Sequence, residues 1–336
     1  GNIANTWEES IKRNIGFESR FFDNSLKLNV DLFDENRSNI LAERNSGLQT
    51  FGHKYPAMNV GKVYNRGYEI EADYQGKVGQ VQYGINGQVS FARNEIKFRD
   101  EALGLPENLK TEGHRVGQFF GYVNDGFYTS AEDVVASVKP VGVTPIPGDL
   151  KFKDINNDGV ITSDDRTAIG YSSTPEYVCS FSPRLAWKGV SLSVLFQGVA
   201  NVSSNLILSE QNNGQQMYPF MMNRWTPETA ATATWPALHS RGYQGLNYQL
   251  NDFILQNGAY LKIRNVEMAW NLPAKWTNHL KVTGIRLFAS GQNLHTWTKF
   301  KMYVDPENLN MVNQTFPLQA LYPSSRVYNF GVNINL

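Results

Sequence analysis

The last nine residues alternate without a break: Tyr328, Phe330, Val332, Ile334 and Leu336 share one face of an extended chain, and Asn329, Gly331, Asn333 and Asn335 share the other. The same period of two returns upstream. Val81, Tyr83, Ile85, Val89 and Phe91 alternate with Gln80, Gln82, Asn86, Gln88 and Ser90; Leu26, Leu28, Val30 and Leu32 with Lys27, Asn29 and Asp31; Tyr64, Tyr68, Ile70 and Tyr74 with Glu69, Glu71 and Asp73. A soluble sandwich strand shows the same alternation, so one strand decides nothing. Repetition and length do decide. Runs of about ten residues or more are what a tilted strand needs to cross a bilayer, whereas ordinary strands average about five or six. Long strands with one apolar face and one polar, even acidic, face predict an all-β fold, a transmembrane antiparallel β-barrel.

The punctuation between these runs predicts the organisation. Residues 7–22 and 25–41 pair through Asp23-Asn24, residues 62–75 and 80–98 around a turn at 76–79, residues 176–188 and 190–202 around Gly189, and residues 259–272 with 282–296. Near Arg264 and Asn265 the alternation slips, which reads as a bulge or an internal polar register. Three excursions interrupt the strands, at 99–175, 203–258 and 297–325. The first is rich in Gly, Pro and Asp and far exceeds ordinary connections, which points to a functional surface excursion with structure of its own. About nine spanning strands result, with short turns at one end and long loops at the other.

Composition narrows the classes. Only 41% of the 336 residues are hydrophobic, and no run of eighteen apolar residues exists, which excludes a helical membrane protein and leaves a barrel open. Thirty-one acids balance 31 bases, against a dedicated nucleic-acid binder. The 16 Tyr, 19 Phe and 7 Trp suit barrel girdles, and equally a carbohydrate-binding sandwich. Cys179, the single cysteine, shares a face with Tyr177 and Phe181 and reads as a small hydrophobe. Residues 1–9 are polar with no apolar leader segment, so the expectation is a mature chain or a C-terminal piece of a longer one.

The sharpest local motif is DINNDGVITSDD. Asp154, Asn156 and Asp158 hold positions 1, 3 and 5 of a calcium loop, Gly159 the sharp turn, the Val160 carbonyl position 7, Thr162 or a water position 9, and Asp165 position 12. One structural Ca2+ would stiffen a long loop by offsetting its carboxylate repulsion; the alternative is that these side chains cap turns. In the second excursion Met217, Tyr218, Phe220, Met221, Met222, Trp225, Trp235, Tyr243 and Tyr248 fit either stacking on sugar rings or packing of the loop itself. His53, His114, His239, His279 and His295 lack zinc spacing, and nucleophile-elbow, Walker and dinucleotide motifs are missing, so no enzyme is expected.

The strand AYLKIRNVEMAWNLP (259–273), SGQNL (290–294), NRWTP (223–227), the loop GDLKFKDINNDGVITSDDRTAIG and the terminus YPSSRVYNFGVNINL together resemble the C-terminal part of a SusC/RagA-type TonB-linked outer-membrane transporter. The likeness runs over nearly the whole chain. It departs at Leu336, where such barrels commonly end in Phe. The resemblance implies the C-terminal portion of a large, 22-stranded barrel in the Gram-negative outer membrane, with 99–175 and 203–258 as extracellular loops and the plug domain and first strands lying outside residues 1–336. It further implies TonB-dependent import of an oligosaccharide or peptide, a SusD-like surface lipoprotein and the TonB-ExbB-ExbD complex as partners, contact with outer-membrane lipid and none with nucleic acid. The competing readings are a passive porin and a secreted β-sandwich binding module carrying the calcium loop.

Overall fold

A computed structural model describes residues 5–46, 55–205, 219–239, 245–279, 281–300, 305–307 and 324–335. Nine long strands form one antiparallel sheet: β1 (Glu9–Phe21), β2 (Leu26–Ala42), β3 (Met58–Val78), β4 (Val81–Phe98), β5 (Tyr177–Trp187), β6 (Val190–Ala200), β7 (Tyr260–Asn271), β8 (Gly284–Thr298) and β9 (Val327–Asn335). Each lies beside its predecessor in the chain, the meander that alternating short turns and long loops produce. No helix among the described residues is long and apolar enough to cross a membrane.

The register turns the sequence alternation into two continuous faces. On one, Phe17, Val30, Ile70, Val89, Cys179 and Gly198 oppose one another strand by strand. One residue along, the row is Glu18, Asn29, Glu71, Gln88, Ser180, Gln197, Lys262 and Thr296. Slipping any strand by one residue would put carboxylates among the apolar side chains, so the pattern itself pins the pairing.

The apolar face has marked ends. Near the short turns runs the row Val78, Val81, Trp187, Val190, Trp270, Leu287 and Val332. Ten residues further along β5 comes the row Ile15, Leu32, Tyr68, Phe91 and Tyr177, in which Tyr68 stacks on Phe91 at 5.4 Å and Phe91 tilts against Tyr177 at 4.7 Å. At about 3.3 Å per residue and a tilt of about 40°, the distance between these rows is about 25 Å, the height of a barrel's lipid-facing band. Beyond the aromatic row the same face turns charged, with Arg13, Asp34, Arg66 and Arg93 side by side. Within the band Phe181, Leu185, Leu192 and Ile85 are exposed. Water would not tolerate such a face over nine strands, and this removes the soluble-sandwich reading.

The expected turns move slightly. The second hairpin turns at Gly79 and Gln80, not at 76–79: Val78 pairs with Val81, and Gly79 supplies the positive φ (59°) that a type II′ turn needs at its first central residue. In the first hairpin Phe21 pairs with Leu26, and Phe22, Asp23 and Asn24 are all left-handed. The slip near Arg264 is a bulge: register shifts between Ile263 and Asn265 against β8. A short helix, α1 (Ala274–His279), unforeseen in the sequence, sits between β7 and β8. Phe288 points to the polar face, where Gly331 on β9 makes room; a Cβ there would lie 2.3 Å from its ring.

The buried core of the molecule lies in the excursions. Tyr122, Leu150, Phe152 and Ile161 cluster with Phe127, Val138, Leu246 and Phe253, joining residues of 99–175 with residues of 203–258. Short ladders, Phe119–Gly121 with Thr167–Ile169 and Asn124–Phe127 with Leu150–Phe152, satisfy the backbone there.

The two faces make opposite predictions for one charge. Ile85→Arg, at mid-height on the apolar face, is expected to lower the stability of the full-length protein refolded into lipid vesicles by about 2–4 kcal/mol, whereas Asn86→Arg on its neighbour should cost less than about 1 kcal/mol. Equal costs in urea titrations would refute the assignment of faces.

Candidate functional site

The polar face is concave. Glu18, Asn29, Asp31, Glu69, Glu71, Gln88, Ser90, Ser180 and Gln197 border a hollow of about 510 Å³, and Lys27, Asn29, Glu71, Asp73, Gln75, Asn86 and Arg184 border a second of about 360 Å³. Charges here are partly matched. Arg184 pairs with Asp73 at 2.9 Å, Lys12 and Arg37 approach Glu35 at 4.0 and 3.1 Å, and Arg286 pairs with Glu267. Glu18, Asp31, Glu69 and Glu71 form no ion pair among the described residues; Asn29 and Ser90 offer Glu71 and Glu69 long hydrogen bonds of 3.4 Å. A wall of amides and carboxylates is chemistry for holding water and hydrated polar solutes.

Where the first excursion leaves and re-enters the sheet, one carboxylate gathers four elements. Glu176 is 4% exposed. Arg93 of β4 donates to it in a fork, Nε to Oε1 and Nη2 to Oε2 at 2.8 Å each; Arg115 of the excursion donates to Oε1; Asn201, just past β6, donates from Nδ2 to Oε2 at 2.9 Å. Burial alone would raise the Glu176 carboxyl, but the hydrogen bonds from Arg93, Arg115 and Asn201 outweigh it and hold the group at about 2. The Arg115 guanidinium also lies over Tyr171 at 5.2 Å.

A second polar joint locks the two excursions together. Asp149, 1% exposed, accepts from Asn247 Nδ2 at 2.8 Å and from the Ile146 N–H at 2.9 Å, and contacts His239. Asn247 returns its Oδ1 to the Leu150 N–H at 2.9 Å. A third joint holds the first part of the last excursion: Lys262, 1% exposed on β7, donates to Asp305 at 2.8 Å and Glu307 at 2.8 Å, and Arg264 donates to Glu307 at 2.7 Å. Lys262 and Arg264, two residues apart on one face of β7, meet the same anionic segment, and the slip read at Arg264 is the bulge beside them.

The DINNDGVITSDD loop closes on itself. Asp154 accepts from the N–H groups of Asp158 (3.2 Å) and Gly159 (2.8 Å), Asn156 Oδ1 from Asp158 N–H (3.0 Å), and Asp158 Oδ1 from Val160 N–H (3.0 Å). Asp165 is fully buried and accepts from Ile155 N–H (2.8 Å) through one oxygen and Thr162 N–H (2.7 Å) through the other. Asn157 (φ 60°) and Gly159 (φ 85°) make the sharp turn. Thr162 and Asp165 also form a capping box for the 3₁₀ turn Ser163–Asp165, so the turn-capping role is present whatever else the loop does. Among the described residues no group of three or more His, Cys, Asp or Glu is arranged to hold a metal; Asn156 and the Val160 carbonyl belong to neither class.

The aromatics of the second excursion divide. Trp235 is buried and tilts against Phe253 at 5.5 Å, and Trp225 covers Gly148, where a Cβ would lie 2.5 Å from its ring. These two pack the loop body. Met222 is 70% exposed. Met217, Tyr218 and Tyr243 lie outside the described residues, as does the side chain of Phe220. The joints at Glu176 and Lys262 escaped sequence reading because their partners are 83 and 43 residues away.

Residues 1–294 match the family model described as TonB dependent receptor-like, beta-barrel. Two TonB-dependent receptors of Formosa agariphila, P3 and P26, are 26% and 24% identical over 352 residues, covering 98% of this chain and 34% of each of theirs. The chain therefore spans about a third of the length of the curated relatives it matches. Among solved structures, the RagAB peptide transporter superposes with a TM-score of 0.72 at 22% identity over 99% of this chain and 36% of that one, and the open-open RagAB peptide importer with 0.70 at 20% identity over 100% and 36%.

Glu176 makes the joint pH-dependent in a defined direction. Its value in the folded protein, about 2, lies below the ordinary 4.5, so its contribution is complete above about pH 4.5 and is lost as pH falls toward 2. Hydrogen exchange of the 99–175 backbone is expected to quicken across that window. Glu176→Gln should remove about 2 kcal/mol at pH 7, less than the 3–5 kcal/mol of a fully buried pair because Arg93 is 40% exposed; unchanged exchange in this variant would refute the role.

Proposed function

Because the chain belongs to the TonB-dependent receptor-like β-barrel family of the outer membrane, we propose that it forms wall and outer loops of a SusC-like transporter importing an oligosaccharide or a peptide. The observation that carries this reading is the two-faced register over nine strands, apolar outward for one bilayer height and polar inward along the whole wall. Among the described residues β1 and β9 each leave one edge unpaired, and hydrocarbon does not tolerate bare sheet edges, so in the membrane both must pair with further strands. This agrees with a chain that matches about a third of its relatives. Energy would arrive from the TonB-ExbB-ExbD complex at the short-turn end, and a SusD-like lipoprotein would cover the long loops.

The native polypeptide is expected in detergent-extracted outer membrane at a mass well above 37.9 kDa, together with a lipoprotein. Uptake of its substrate should stop when TonB is deleted; uptake that persists would favour the passive porin. A chain soluble without detergent would defeat both.

Within the outer loops the segment 154–165 is proposed to hold one structural Ca2+. Support comes from the oxygens of Asp154, Asn156 and Asp158 at alternate positions, the left-handed turn at Asn157 and Gly159, the Val160 carbonyl at position 7 and Asp165 at the close. No lysine or arginine pairs with Asp154, Asp158 or Asp165 among the described residues, which leaves their repulsion for a cation to offset. Millimolar Ca2+ is expected to raise the melting temperature of the full-length protein by a few degrees, and Asp154→Asn with Asp158→Asn to abolish the rise. Identical melts in Ca2+ and EDTA would leave the turn-capping role alone.

A further inference from the structure

Two of the short connections meet in a ledge at the end of the apolar band. Trp187 on β5 and Trp270 on β7 flank Val190 in one row of the outward face. Trp276 of α1 packs edge-on against Trp270 at 5.5 Å, which sets this short helix against the outside of the wall, away from the lumen. The Lys188–Gly189 turn abuts the same place: the Asn271 N–H donates to the Gly189 carbonyl at 2.8 Å, and a Cβ on Gly189 would lie 3.7 Å from the indole of Trp270. The Lys188 ammonium sits 5.1 Å from the centre of the Trp187 ring.

The chemistry of this ledge is one-sided. Lys188, Lys275 and Lys281 are exposed, and none pairs with a carboxylate among the described residues. Neither connection, 188–189 or 272–283, contains an acidic residue. Trp187 and Trp276 are 52% and 51% exposed. Directly along the strands, Leu185, Leu192 and Met268 form the next outward row and are exposed as well. Half-exposed indoles mark the depth at which hydrocarbon gives way to headgroups. Lysines at that depth lay their stems on apolar surface and lift the ammonium to the phosphate level, where each adds attraction to an anionic lipid. The two connections and their borders thus carry two half-exposed tryptophans and three lysines that form no ion pair among the described residues.

We propose that this ledge binds an anionic phospholipid of the leaflet at the short-turn end, with its phosphate on Lys188, Lys275 and Lys281 and its acyl chains along Leu185, Leu192 and Met268. The binding face is continuous with the lipid-facing band and its charge is complementary to a phosphate, which is why a lipid is the occupant. The inference requires that β5–β7 face lipid but not that the protein transports any particular solute.

The test uses the full-length protein extracted in mild detergent and exchanged into micelles containing equal amounts of phosphatidylglycerol and phosphatidylcholine, with retained lipids counted by native mass spectrometry. Phosphatidylglycerol is expected to be retained preferentially, and K188Q/K275Q/K281Q to reduce that preference on the order of tenfold. The equal-charge control K97Q/K110Q/K139Q, at the long-loop end, should keep it. Melting curves of all three proteins check that each variant is folded, and Trp276→Ala, which leaves every charge in place, should weaken retention of both lipids. Equal retention of the two lipids by the unaltered protein, or a preference that survives the triple lysine substitution, would overturn the proposal. Membrane insertion in either case would leave the barrel reading standing.

Discussion

In hydrocarbon a peptide N–H or C=O without a partner costs several kcal/mol, and this constraint organises the molecule. It demands a continuous ladder, which the nine-stranded meander supplies, and it demands that every strand keep step with its neighbours. Keeping step is what the period-two sequence enforces. Since the side chains of Glu18, Asn29, Glu71, Gln88, Ser180 and Gln197 share one row and Phe17, Val30, Ile70, Val89 and Cys179 the next, a shifted strand would put charge into lipid. Backbone satisfaction and side-chain partition therefore specify the same register.

The excursions obey a different economy. Away from lipid, in the loops and on the inward face, polar side chains act as fasteners beside the short backbone ladders. Glu176, Asp149 and Lys262 are each nearly inaccessible to water, and each is fully engaged: by Arg93, Arg115 and Asn201; by Asn247, His239 and a backbone N–H; by Asp305 and Glu307. A buried charge costs several kcal/mol unless it is matched in this way.

Much of the wall was legible in the sequence because each strand carries its own evidence. Alternation in Tyr328–Ile334 or in Val81–Phe91 needs no partner to be recognised, and the bulge at Arg264 announced itself as a break in period. Turn positions were less legible. Gly76 looked like part of a turn, yet it lies inside β3, and the reversal waits for Gly79. The α1 helix was missed because six residues are too few for a helical period to show. The polar joints were invisible for a different reason: nothing local distinguishes Glu176 from thirty other acids until Arg93 is folded beside it. The acidic loop at 154–165 was fully legible as a spacing, and the structure adds its turn geometry.

The strands do not all stop together. β3 continues for ten residues past Tyr68, whereas β5 begins at Tyr177 and β6 ends at Ala200, both in the row where the apolar band gives out. The rim of the wall is therefore stepped, standing about 25 Å proud of the membrane on one side and level with it on the other. The first large excursion leaves from the tall end of β4 at Phe98 and returns at the level of Tyr177, and the second runs from Ala200 to Tyr260 on the level side. Paired backbone on the tall side cannot bend without breaking its ladder, while the excursions are attached by side chains such as Arg115 and by isolated backbone bonds, Ile96 N–H to the His114 carbonyl and Gly113 N–H to the Ile96 carbonyl among them. The tall side is therefore fixed by its ladder, and the low side by the contacts of individual residues.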